Sequence, residues 1–163
     1  MTTAQTSAQT GSLTRTFALI TVAGGVLAFL LGPQAPIGQQ IWPPTVELNP
    51  PPGGAQLGLF MLLGAIESLA FGAGVAFLLL GRKPLRRLFG PRRAGLATAT
   101  HLAVFWLLWS WWLHDGLHMV VGLQARGLLA IEYAFHVTLI LAGGILAYGL
   151  ATLAGVAPQP VDR

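Results

Sequence analysis

"LGLFMLLGAIESLAFGAGVAFLLL", residues 57–80, carries one charged side chain in 24 positions. At the 1.5 Å rise of an α-helix this stretch is about 36 Å long, enough to cross the roughly 30 Å hydrocarbon core of a bilayer. "GRKPLRRLFGPRR", residues 81–93, follows at once and holds six of the nine Lys and Arg residues of the chain. An apolar segment of membrane length that stops at a basic cluster predicts a transmembrane helix whose C-terminal end faces the cytoplasm.

Three more stretches read the same way, near 15–32, 96–122 and 127–154, giving a single all-α transmembrane domain built as a four-helix bundle. The composition agrees: 54% of residues are hydrophobic, 9% are charged and the mean hydropathy is +0.68, against about 25% charged residues in soluble domains. The first stretch is short, and its length and position would also suit the apolar core of a secretory signal. The residues after it, "PQAPIGQQ", fit a small-x-small cleavage pattern poorly, so it is read as a membrane helix with Arg15 snorkelling outward.

Orientation follows from the basic residues. Arg15, the six in 82–93 and Arg163 fall on one side and only Arg126 on the other, so both termini and the basic loop 81–95 are expected in the cytoplasm. The expected location is a bacterial cytoplasmic membrane. The net charge of +4 is concentrated in that loop and reads as a topology signal, so the partners expected are the lipid bilayer and other membrane subunits or further copies of the chain, with no nucleic acid. The external loop, 33–56, holds seven of the eleven prolines, which fix φ and remove donors and make it semi-rigid. Ile41 and Trp42 in its middle belong either at the headgroup level or in a solvent-exposed linker, and the sequence favours neither.

The chain has no cysteine, which excludes disulfides, Fe–S clusters and thiolate metal sites. Three of its five acidic residues, Glu67, Asp115 and Glu132, nevertheless fall inside the spans, with all four histidines, His101, His114, His118 and His136. Ionisable groups in a bilayer are costly and mark functional sites by default. Counted from the outer end of each span, Glu67 lies about 15 Å in, His136 about 13 Å and His114 about 12 Å, while Asp115, Glu132 and His118 lie roughly 6 to 10 Å in. His114 and His118 are four residues apart, as are Glu132 and His136, so each pair shares a helix face.

These residues predict a metal site in the outer half of the bundle, between the second, third and fourth spans. The expected ligands are Glu67, His114, His118, Glu132 and His136, with Asp115 as ligand or as an acceptor orienting an imidazole. Imidazole and carboxylate donors without sulfur suit Fe, Mn, Zn or Cu(II). Metal binding of this kind would suit an oxidoreductase or a subunit of one, acting on a quinone or another apolar substrate from the bilayer. Two other functions use the same groups. His114 and His136, level on adjacent spans, could be axial ligands of a b-type haem, with Trp111 one turn deeper; or the cluster could relay protons inside a larger membrane complex without metal.

His101, near the cytoplasmic end of the third span, is expected to be structural, bonded to Thr98 or to a neighbouring helix. The tryptophans of "FWLLWSWWL", residues 105–113, are spread round the helix and read mainly as an aromatic belt. Gly64, Ser68, Gly72 and Ala76 recur every four residues as a ridge for close helix packing. The Gly-Gly steps in "GGVL" and "LAGGIL" lack the strand-to-helix setting of a phosphate loop.

Overall fold

The computed structural model describes residues 2–33, 35–43, 53–122 and 124–155, with the side chains of residues 2–10 excepted. Residues 34 and 44–52 of the proline-rich segment lie outside the described residues, as does Leu123 in the turn between the third and fourth spans. Every regular element among the described residues is helical: α1 (Thr2–Leu31), α2 (Gly38–Ile41), α3 (Ala55–Leu80), α4 (Arg82–Phe89), α5 (Ala94–Val121), α6 (Ala125–Glu132) and α7 (Thr138–Leu153). A short 3₁₀ turn, Pro91–Arg93, leads into α5, and a π turn, Tyr133–Val137, joins α6 to α7. Four segments, Gly11–Leu31, Ala55–Leu80, Pro91–Val121 and Ala125–Leu153, are long and apolar enough to cross a membrane.

Each long helix packs chiefly on the next in sequence, α1 on α3, α3 on α5 and α5 on α7. Among the described residues α1 and α7 share no extended interface, so the four form an open succession with two edges. The α1–α3 contact is the closest. Gly64, Ser68, Gly72 and Ala76 are all buried, as the ridge pattern predicts. A Cβ on Gly72 would strike the Thr21 carbonyl oxygen and come within 2.6 Å of the Gly25 amide nitrogen, so only glycine permits this spacing.

α5 packs on the fourth long segment through Ile131 of α6, Phe135 of the π turn and Leu139 of α7, with Trp106, Leu107, Leu113, Leu117 and Val121 packed against them. Tryptophans of residues 105–113 take part in the packing of this helix. Trp106, Trp109 and Trp112 turn toward neighbouring helices, and of the four only Trp111 is exposed, at 43%. The reason is partly polar, because an indole N–H turned to a neighbouring helix finds an acceptor there. Trp106 Nε1 donates to Thr138 Oγ1 at 2.9 Å, and Trp112 Nε1 donates to the Ala28 carbonyl at 2.9 Å.

Trp42 also packs within the fold. Its ring meets Trp112 edge-on, with centroids 5.6 Å apart, and its Nε1 donates to the Leu31 carbonyl at 3.0 Å. The ring lies over Gly116 of α5, where an added Cβ would come within 2.9 Å of it. Trp42 therefore ties the loop after α1 to the third long helix, and a free linker does not describe it.

The basic segment is ordered as well. Pro84 sits in the first turn of α4, where a missing N–H removes no intrahelical bond. Phe89 is buried, and Gly90, at φ +73° and ψ 171°, takes a conformation open essentially to glycine and turns the chain into the 3₁₀ segment.

Candidate metal centre

Three helical segments supply the cluster: the last two turns of α5, the end of α6 and the π turn after it. On α5 the four-residue spacing brings His114 and His118 together, with Nε2 atoms 3.0 Å apart and ring centroids 4.4 Å apart. On the other side His136 Nδ1 lies 2.6 Å from Glu132 Oε2. The two pairs meet through the carboxylate, because His118 Nε2 is 3.4 Å from Glu132 Oε1.

A carboxylate oxygen accepts, so where His136 Nδ1 carries a hydrogen it is directed at Glu132 Oε2. Between His118 and His114 one Nε2 donates and the other accepts, the tautomer deciding which. One oxygen per histidine leaves the carboxylate held from both sides, the arrangement by which outer partners fix a ligand's orientation.

His114, Glu132 and His136 form the group able to hold a metal ion, since one ligand atom from each lies within 4.8 Å of the other two. Metal–nitrogen and metal–oxygen bonds are about 2.0–2.2 Å, so an ion among atoms at such spacing reaches all three with small side-chain adjustments. Two imidazoles and one carboxylate leave coordination positions open, the pattern of metal centres that bind an exogenous ligand. The side chains of Glu132 and His136 are 41% and 51% exposed at the flank of the helix pair, whereas that of His118 is 30% exposed.

The remaining candidates lie around this group. Asp115 is an electrostatic neighbour of His114 on one side and of Glu67 on the other. Glu67 on α3 is outside the three-residue group and is an electrostatic neighbour of Asp115. The ligand group thus lies between the third and fourth spans.

His101 is separate and structural. It is 4% exposed, its Nε2 donates to the Phe77 carbonyl of α3 at 2.9 Å, and its ring packs on Phe77. The neighbouring-helix bond is the one formed; Thr98 donates instead to the Ala94 carbonyl of its own helix.

Two further residues shape the site. Phe135 is buried with its ring 5.1 Å from that of His114 and stacked on Trp106. Thr138 Oγ1 lies 2.6 Å from the Ala134 carbonyl and 3.1 Å from that of Phe135, in hydrogen-bonding range of backbone groups that a π turn displaces. Such turns are rare and concentrate at functional sites. Nothing in "EYAFHVT" separates a π turn from continued α-helix, although a threonine two residues after a candidate ligand is a weak cue for backbone bonding.

No known family model, curated protein or solved structure matches this chain.

Proposed function

We propose that this chain is a small integral membrane metalloprotein of a bacterial cytoplasmic membrane. Both termini are cytoplasmic, and a non-haem transition-metal ion is held near the outer face by His114, Glu132 and His136. The observation that carries this reading is the convergence of those three ligand atoms within 4.8 Å, from helical segments on either side of the short turn after α5. The donor set suits Fe, Mn, Zn or Cu(II). His118 and Asp115 support it as hydrogen-bonding and charged neighbours.

The activity best matched to the site is oxidoreduction, by this chain alone or as a subunit beside others. The centre keeps open positions, contains no thiolate and lies at the flank of the α5–α7 pair, where an apolar substrate in the bilayer could reach it. A b-type haem between His114 and His136 fits less well. The Glu132 carboxylate shares their group, within 4.8 Å of a ligand atom of each and 2.6 Å from His136 Nδ1, and carboxylates are natural ligands of a non-haem ion.

Protein purified in mild detergent decides among these functions by elemental analysis and a visible spectrum. Stoichiometric Fe, Mn, Zn or Cu without a Soret band supports the non-haem centre. A Soret band would replace it with haem, and neither metal nor haem would leave a proton relay.

A further inference from the structure

The end of the bundle opposite the histidine cluster carries a second chemistry. His114 is twenty residues along α5 from its start at Ala94, so the two ends are about 30 Å apart. At the far end, Arg82, Lys83, Arg86, Arg87, Arg92 and Arg93 are all exposed. Among the described residues none of them forms an ion pair, and the described carboxylates, Glu67, Asp115 and Glu132, all lie well inside the long spans.

This surface is built onto the fold. Phe89 is buried where α4 packs on α5, with its ring near Gly149 of α7, and Arg93 Nη1 donates to the Thr152 carbonyl at 3.4 Å. Those contacts turn the remaining face outward. On it Arg82 and Arg86, and Lys83 and Arg87, are i, i+4 neighbours, roughly 5–6 Å apart at Cβ and close enough to share one phosphate. Beside them Leu88 is 65% exposed, an apolar side chain among cations. The segment also joins two helices long enough to cross a membrane, which places it where hydrocarbon meets headgroups.

We propose that α4 and the turn after it bind the phosphate headgroups of anionic phospholipids, with Leu88 against the acyl chains. Guanidinium groups match phosphate oxygens in a two-pronged geometry, and basic clusters beside a membrane helix draw anionic lipid to themselves. The patch therefore has a ligand beyond its effect on orientation, and this holds whether or not the histidine cluster carries metal.

The test uses the full chain in neutral detergent, incubated with mixed micelles of phosphatidylglycerol and phosphatidylcholine in equal amounts, with the retained lipids quantified after washing. Wild-type protein should retain phosphatidylglycerol at least about fivefold over phosphatidylcholine, the preference expected from even one basic contact. The quadruple variant R82Q/K83Q/R86Q/R87Q should lose it, and replacing Arg82, Arg86 and Arg87 with lysine should keep most of it. Circular dichroism checks helicity, and if the quadruple variant does not fold, R82Q/R86Q and K83Q/R87Q each replace it. Equal retention of the two lipids by wild type, or undiminished preference in the folded glutamine variants, would overturn the proposal. So would full displacement of phosphatidylglycerol by millimolar inorganic phosphate at constant ionic strength, which would assign the surface to free phosphate.

Discussion

His136 and Glu132 are bonded across 2.6 Å, Nδ1 to Oε2, between the π turn and the end of the helix before it. The other oxygen of the same carboxylate faces His118 on α5, at 3.4 Å. Glu132 is thus the residue through which the third and fourth spans share one polar centre.

Glu132→Gln keeps the side-chain shape and removes the charge. Metal content of the purified variant should fall at least tenfold, since even the loss of an orienting partner costs about 10 to 100-fold in affinity. Elemental analysis of wild type and variant, purified side by side, is the measurement. Equal metal in both would take Glu132 out of the centre.

Metal binding should weaken as pH falls, because a ligating imidazole must give up its proton before its nitrogen can coordinate. The dissociation constant, measured by competition with a chelator of known affinity at pH 8 and at pH 6, should be larger at pH 6. Proton release should accompany metal addition in weakly buffered detergent. An affinity independent of pH would exclude histidine ligation.

His136→Ala and His101→Ala should separate site from scaffold. The first should lose metal while its melting temperature changes little, because the side chain is half exposed. The second should keep its metal and melt lower, by the equivalent of about 1–3 kcal/mol, since it empties a buried position and removes a bond between helices. The reverse pattern would place the metal at the other end of α5.

Gly116→Ala should push Trp42 from its seat. The added methyl group meets the indole at 2.9 Å, and overpacking of this kind typically costs about 1–3 kcal/mol. Tryptophan emission should shift to the red and the melting temperature should fall; in a Trp42→Ala background the same substitution should cost little. Unchanged emission in the single variant would mean that the ring does not rest on α5.

Single cysteines replacing Gln39 and Arg87 test orientation. In intact cells an impermeant thiol reagent should label position 39 and leave position 87 unlabelled, because eight of the nine basic residues lie on the expected cytoplasmic side. Labelling at 87 alone would invert the protein in the membrane.

Much of this fold is readable in the sequence because the strongest signal in a membrane chain is apolar length, and residues 57–80 supply it almost without interruption. The His114–His118 and Glu132–His136 pairs are equally readable, since a four-residue spacing fixes a shared helix face whatever else the helix touches. Glu67 is different. Its depth along α3 follows from counting, but which neighbours it meets depends on the rotation of α3 about its own axis, which spacing within α3 does not fix; it feels the charge of Asp115 and stays outside the three-residue group. The π turn at Tyr133–Val137 is invisible for another reason: the same residues can close i→i+4 or i→i+5 bonds, and tertiary packing around Phe135 decides. Trp42 sits in a segment whose prolines predict stiffness but give no indication of what it docks against.

A helix ordinarily leaves its last carbonyls for solvent to satisfy. At the end of α1 two of them, on Ala28 and Leu31, instead accept indole N–H groups, one from α5 and one from the loop that follows α1. An unmet backbone group in hydrocarbon costs several kcal/mol, so these two bonds change where that terminus can lie. It carries part of its own solvation with it: for those two carbonyls a pair of tryptophans does what water does at an ordinary helix end.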